Sequence, residues 1–174
     1  MANVKNRLSF EDVEVYSLPK AIVDSSINFS KFRCEKDSFA DYLRTQAHND
    51  DKNNVAKVWL FVNHNKEIIG YVTLIVSQLR KRDHQTLGKL TPHNNVPGLL
   101  ISEMARHVDY KGQGLGKLML DWVVSVALDL SRYAACKLII VESEEDKVEM
   151  YKHWGFKSIE NFKERRNTMF IIKP

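Results

Sequence analysis

"DYKGQGLGKLML", Asp109 to Leu120, places three alternate glycines (Gly112, Gly114 and Gly116) between Lys111 and Lys117. The residues running into it, "GLLISEMARHV", are apolar enough for a strand. Beyond the loop, Leu115, Leu118, Met119, Trp122, Val123, Val126, Ala127 and Leu130 fall at i, i+3, i+4, i+7, i+8, i+11, i+12 and i+15. That is an unbroken helical stripe, the strongest periodic signal in the chain. The decisive unit is therefore strand, glycine loop, amphipathic helix.

Two familiar phosphate loops are excluded by spacing. A Walker A loop with Gly116-Lys117 requires glycine at Lys111 and a hydroxyl at Leu118. A dinucleotide-binding loop starting at Gly112 requires glycine at Lys117, and it belongs near the start of a βαβ unit. Physical chemistry leaves two readings open. Bare glycines let successive N–H groups turn toward an anion, and a helix start adds unpaired donors and a positive dipole end. Equally, a glycine-rich turn can simply begin a core helix.

The rest of the chain reads as an α/β alternation. "EDVEVYSL" alternates as a first strand, and "KDSFADYLRTQAHND" predicts a helix over about 37–49, capped by Asp37 or Ser38. "AKVWLFVN" and "EIIGYVTLIVSQL" predict a hairpin turned by "HNKE". Residues 80–97, with Gly88, Pro92 and Pro97, predict a long surface loop. "CKLIIVE" is a buried strand, "EEDKVEMYKHW" a short helix stopped by Gly155, and "FKSIE" and "NTMFIIK" are closing strands. The predicted order is β-α-β-β-β-α-β-α-β-β, and 174 residues suit one domain, 1–174.

Composition narrows the class. Apolar content of 44% with 28% charged residues is that of a globular domain, and no apolar run approaches the ~20 residues of a membrane span. The opening residues lack a secretory signal, so a cytoplasmic location is expected. Cys34 and Cys136 are far apart and read as reduced apolar residues. The six histidines, His107 among them, show no HxxxH or HExxH spacing, so no metal site is expected. A net charge of +4 favours an anionic ligand, with basic clumps at "RKR" (Arg80 to Arg82) and "KERR" (Lys163 to Arg166).

"DYKGQGLGKLM" resembles the coenzyme A loop of the GNAT acetyltransferase superfamily, in which Arg or Gln precedes two residues, Gly, one residue, and Gly or Ala. Lys111 takes the Arg or Gln place. "MYKHWGF" is similar to that family's downstream Tyr-x-x-x-Gly-Phe block, and the two motifs stand in the family's order. The resemblance implies a single-domain GNAT fold, a mixed splayed β-sheet flanked by helices, with acetyl-CoA as co-substrate. It assigns pantetheine contacts to Met104, Ala105 and Arg106, and pyrophosphate contacts to Lys111, Gly112, Gln113, Gly114, Leu115, Gly116 and Lys117. Tyr151 matches the family's general acid, and a backbone N–H near Met104 would polarise the thioester carbonyl. The chain departs from the family at Glu144 and Lys147, where Asn and Ala are usual. Glu103 and Glu142 are the carboxylates on hand to take the amine's proton.

"FRCEKDSFADYLRTQAHND", Phe32 to Asp50, is similar to the opening of a GNAT branch that includes toxins acetylating aminoacyl-tRNA beside an antitoxin, although Arg33 and Glu35 depart from its motif. That branch implies charged tRNA as acceptor and an antitoxin as partner. Small amines, polyamines and protein amines are the other acceptors. Dimers are common in the family, which makes a homodimer an expectation too. The alternative of another class is a non-catalytic CoA-binding regulatory module, disfavoured by the retained glycines and tyrosine.

Overall fold

The computed structural model describes residues 7–159 and 167–172, which fall into two compact units. The first comprises residues up to Leu74 together with Glu103–Val123. Its β1 (Val13–Ser17) runs antiparallel to β2 (Lys57–Asn63), with Val15 opposite Phe61. In turn β2 runs antiparallel to β3 (Ile68–Arg80), with Leu60 opposite Tyr71. The turn between them is the expected one. Asn63 Oδ1 accepts from the N–H groups of Asn65 and Glu67, both at 2.9 Å, and Lys66 takes the left-handed φ of 61°.

Three short helices follow β1 in this unit: α1 (Leu18–Val23), α2 (Asp37–Thr45) and α3 (Ala47–Lys52). Leu18, Ala21, Phe32, Leu43 and Ala47 pack with Tyr16, Leu60, Tyr71 and Ala105 in one core cluster. The single helix expected over 37–49 is thus two. Thr45 Oγ1 donates to the Asp41 carbonyl at 2.7 Å, a back-bond that bends a helix, and Gln46 turns the chain into α3. The N-cap of α2 is Lys36 without a side-chain cap bond, and Asp37 is already inside that helix.

The second unit comprises Ile75–Ser102 and the residues from Val124 onward. Here β4 (Asn95–Arg106) runs parallel to β5 (Leu138–Ser143), from Gly98↔Leu138 to Ile101↔Val141. Gly98 has no room for a Cβ, which would lie 2.8 Å from Leu138. Antiparallel to β5 is β7 (Asn167–Ile172), which pairs with the two-residue β6 (Lys157–Ser158). The helices are α4 (Gln85–Gly88), α5 (Leu115–Leu130), which begins in the first unit, and α6 (Val148–His153). Gly155, at φ +90°, ends the turn after α6.

The strand order is β1-β2-β3-β4-β5-β7-β6, a mixed seven-stranded sheet flanked by helices, as the α/β reading expected. The stretch 80–97 is not a structureless loop. It holds a 3-10 turn at Lys81–Asp83 and then α4, capped where His84 Nδ1 accepts from Thr86 N–H at 3.0 Å, and β4 already begins at Asn95. Leu87, fully buried, anchors it. The basic "KERR" stretch lies outside the described residues. Among the described residues no helix is long and apolar enough to cross a membrane.

Candidate active site

Pairing between β4 and β5 stops at Ile101↔Val141, while β4 continues to Arg106. At the end of β4, His107 N–H donates to the Ile69 carbonyl at 2.7 Å. Peptide directions alternate along a strand, so the N–H groups of Met104 and Arg106 point away from β3 and that of Ala105 points toward it. Of the three pantetheine candidates, only Met104 and Arg106 thus offer amides to an open edge. Ala105 is buried in the first unit's core. Its carbonyl lies where a Cβ on Gly70 would come within 3.0 Å, a close approach that fixes β4 against β3.

The chain then makes a 3-10 turn, Val108–Tyr110, and Lys111 N–H closes onto the Val108 carbonyl at 3.3 Å. Gly112 and Gly114 adopt φ of +79° and +80°, the left-handed region where L side chains are strained. Leu118 N–H to the Gly114 carbonyl, at 3.1 Å, is the first bond of α5, leaving the N–H groups of Gly114, Leu115, Gly116 and Lys117 without intrahelical partners. Leu115, Leu118 and Met119 are buried and hold this end of α5 in place. A Cβ at Gly112 would meet nothing within 4 Å, so backbone conformation rather than crowding calls for glycine there.

The cations of the loop are tied to carboxylates. Lys111 Nζ is 2.8 Å from Glu35 Oε1, which Arg106 also approaches at 3.2 Å, and Lys117 pairs with Asp121 one turn along α5. The Arg106 side chain turns to Glu35 and to the His107 carbonyl at 3.3 Å. Two participants were not foreseen. Leu8 N–H donates to the Gln113 carbonyl at 2.9 Å, and the Arg7 side chain lies 3.1 Å from where a Gly114 Cβ would stand. Nothing local marks Arg7 or Glu35 as partners of a loop about a hundred or seventy residues on.

A cleft of about 670 Å³ borders Gln113 and Tyr110. Arg7, Lys31 and Arg33 line it together with Asp12, Glu67 and Asp109, so its lining is balanced in charge. A pyrophosphate is better served by the loop's backbone donors.

In the second unit Tyr151 sits on α6, buried, with its ring edge-on to Trp154 and Phe156 at centroid distances of 5.6 and 5.3 Å. Burial pushes its hydroxyl up to about 12, so it stays protonated at neutral pH. Of the two candidate carboxylates, Glu142 is exposed on β5, whereas Glu103 is half-buried and accepts from the Tyr71 hydroxyl at 2.6 Å. His107 Nε2 lies 3.3 Å from the Lys31 carbonyl, and its Nδ1 accepts from the Asp109 N–H at 3.3 Å. Among the described residues no group of three His, Cys, Asp or Glu could hold a metal ion.

Comparison with known proteins fits this arrangement. Residues 55–158, more than half of the chain, match the acetyltransferase (GNAT) domain. The chain belongs to the GNAT acetyltransferase family. Acetyl-CoA is accordingly its co-substrate, and the open glycine backbone at the start of α5 is of a kind that accepts a pyrophosphate. Solved structures share the fold. AtaT complexed with acetyl-methionyl-tRNAfMet superposes with a TM-score of 0.81 at 19% identity, covering 92% of this chain and 95% of that one. An AtaT mutant toxin bound to acetyl-CoA and the C-terminus of the antitoxin AtaR gives 0.75 at 19%, covering 93% and 94%. A tyrosine-to-phenylalanine mutant of KacT gives 0.79 at 19%, covering 93% and 95%. At these identities the likeness is one of fold.

Proposed function

We propose that this GNAT acetyltransferase moves an acetyl group directly from acetyl-CoA to a primary amine, with the donor on the Lys111–Lys117 loop and Tyr151 as proton donor. The observation that carries the reading is the pair of left-handed glycines opening α5, one short turn after a strand whose Met104 and Arg106 amides face away from β3. When bound, acetyl-CoA supplies an activated thioester. The backbone donors from Gly112 to Lys117 hold its pyrophosphate, acting through main chain at Gln113 and Leu115, with Lys111 and Lys117 as counter-charge. The amides of Met104 and Arg106 line the pantetheine arm, with Ala105 fixing the strand between them. With acetyl-CoA bound, the Met104 N–H would be the donor that stabilises charge growing on the thioester oxygen.

Tyr151 gives its proton to the departing sulfur. A phenol near 12 is a weaker acid than an ordinary thiol near 8.5, so it helps mainly by hydrogen bonding to the sulfur as charge develops. Glu103, fixed by Tyr71, takes a proton from the incoming amine. Thiol release from acetyl-CoA, followed across amino acids, polyamines, peptides and charged tRNA, tests the proposal. Turnover on any amine supports it, and acetyl-CoA binding without turnover on all of them would favour a regulatory module.

The fold shared with AtaT and KacT favours a second reading, toxin-type acetylation of aminoacyl-tRNA with an antitoxin partner. Against it, the "RKR" segment is partly engaged locally: Lys81 Nζ donates to the Pro92 carbonyl at 3.1 Å and Arg82 stands 4.0 Å from Asp83. Growth arrest on expression, relieved by Tyr151→Phe, is the outcome that reading requires. We further propose a cytoplasmic, single-domain protein that forms a homodimer, testable by light scattering.

A further inference from the structure

The loop that opens α5 has both of its own lysines engaged. Lys111 Nζ stands 2.8 Å from Glu35 Oε1, which Arg106 shares at 3.2 Å, and Lys117 is paired with Asp121. A carboxylate beside each lysine cancels much of the attraction that lysine offers to a phosphate. The backbone N–H groups and the helix dipole contribute only partial charges against a pyrophosphate. A full counter-charge at this loop has to come from outside the glycine motif.

Arg7 stands at the loop without such a carboxylate. Its Cγ, Nε and Cδ lie 3.1, 3.2 and 3.7 Å from where a Cβ on Gly114 would stand, so the side chain lies across that glycine and its guanidinium begins there. The Gly114 carbonyl takes the first bond of α5, and its own N–H is one of the four left open. Among the described residues the Arg7 guanidinium makes no ion pair or hydrogen bond, in contrast to both loop lysines. The backbone beside it is nevertheless fixed. Leu8 N–H donates to the Gln113 carbonyl at 2.9 Å, and Asp12 Oδ2 accepts from the Ser9 N–H and hydroxyl, both at 2.8 Å. That closes the 3-10 turn Phe10–Asp12, which runs straight into β1. None of these bonds uses the Arg7 side chain, and every residue named belongs to the first unit.

We propose that Arg7 is a coenzyme A ligand, its guanidinium taking two oxygens of the pyrophosphate that the Gly112–Lys117 backbone cradles. The inference rests on the donor-loop reading above and adds to it a residue from outside the motif. A planar fork of N–H donors matches two phosphate oxygens, and it stays charged at every working pH. Gly114 then serves twice. Its φ of +80° opens the backbone, and its bare Cα lets the Arg7 side chain pass, where any Cβ would push that side chain off the loop. The pyrophosphate lies at the far end of the pantetheine arm from the thioester, so Arg7 acts on donor affinity and not on the chemical step.

The test measures acetyl-CoA affinity by calorimetry in wild type, Arg7→Ala and Arg7→Lys, at low and high salt. It is repeated with acetyl-dephospho-CoA, which keeps the pyrophosphate and lacks the 3′-phosphate. Urea unfolding of the three proteins controls for the fold. Arg7→Ala should bind acetyl-CoA about tenfold more weakly at low salt, the loss of one charge-assisted contact. Arg7→Lys should lose roughly threefold, because an ammonium keeps the charge but not the fork. The Arg7→Ala deficit should be the same for both donors and should shrink at high salt, whereas a merely structural arginine would weaken binding alike at every salt concentration. Unchanged affinity in Arg7→Ala, a deficit that salt does not reduce, or one that disappears with acetyl-dephospho-CoA would overturn the inference while leaving the loop as the donor site. Failure of wild type to bind acetyl-CoA, or normal binding by Gly114→Glu, would instead sink the parent reading, and this one with it.

Discussion

Alanine at Gly112 and at Gly114 separates the two demands on the glycine loop. At Gly112 the added methyl meets nothing within 4 Å, so its cost is the left-handed backbone alone, roughly 1–2 kcal/mol. Lost freedom of the unfolded chain returns about 0.4–1 kcal/mol, leaving a net loss of about 1 kcal/mol. At Gly114 the backbone cost is the same, but the methyl would stand 3.1 Å from Arg7 Cγ and 3.2 Å from Nε. Pushing that side chain off its rotamer adds about 0.5–1.5 kcal/mol, for a net loss of about 2 kcal/mol. Urea unfolding of both variants, and of the Arg7→Ala/Gly114→Ala double variant, reads these quantities. The double variant should fall back toward the Gly112→Ala value. A Gly112→Ala protein more stable than wild type would refute the left-handed assignment, and a double variant no better than Gly114→Ala would refute the Arg7 contact.

Other consequences follow from the same geometry. Tyr151→Phe should keep acetyl-CoA affinity and lower kcat about 10²-fold; an unchanged kcat would leave Tyr151 as packing. Because burial raises Tyr151 to about 12 from an unfolded value near 10, its share of stability is complete below pH 10 and lost as pH rises toward 12. Wild type should therefore lose about 2–3 kcal/mol of unfolding free energy relative to Tyr151→Phe over that window, and parallel curves would contradict the burial argument. Glu35→Gln frees Lys111 and Arg106 and should tighten acetyl-CoA binding about two- to fivefold at low salt, fading at high salt; weaker binding would place Glu35 among the donor's ligands. Asp51→Ala should cost about 1–3 kcal/mol in urea unfolding, since the buried carboxylate accepts Val58 N–H at 2.9 Å; a loss below 0.5 kcal/mol would show that bond to be dispensable.

What the sequence revealed was whatever its own neighbours determine. The stripe from Leu115 to Leu130 matches α5 end to end, because every fourth or third side chain meets the core and no proline interrupts it. The glycine spacing marked a bare backbone able to turn toward an anion; the left-handed φ at Gly112 and Gly114, and not at Gly116 inside α5, is what the structure adds. Tertiary contacts stayed hidden. The break at Gln46 comes from a Thr45 back-bond that periodicity does not register, and α4 is a single turn held by the burial of Leu87. Arg7, Glu35 and the Tyr71–Glu103 pair are joined to the site through space, so no local pattern announces them.

Titration of acetyl-CoA into wild type and Gly114→Glu by calorimetry tests the central claim most directly. A carboxylate placed at the loop blocks close approach and repels the pyrophosphate, so saturable binding to wild type and none to a folded variant is the expected result. Equal affinity in the two proteins would contradict the placing of the donor on the Lys111–Lys117 loop.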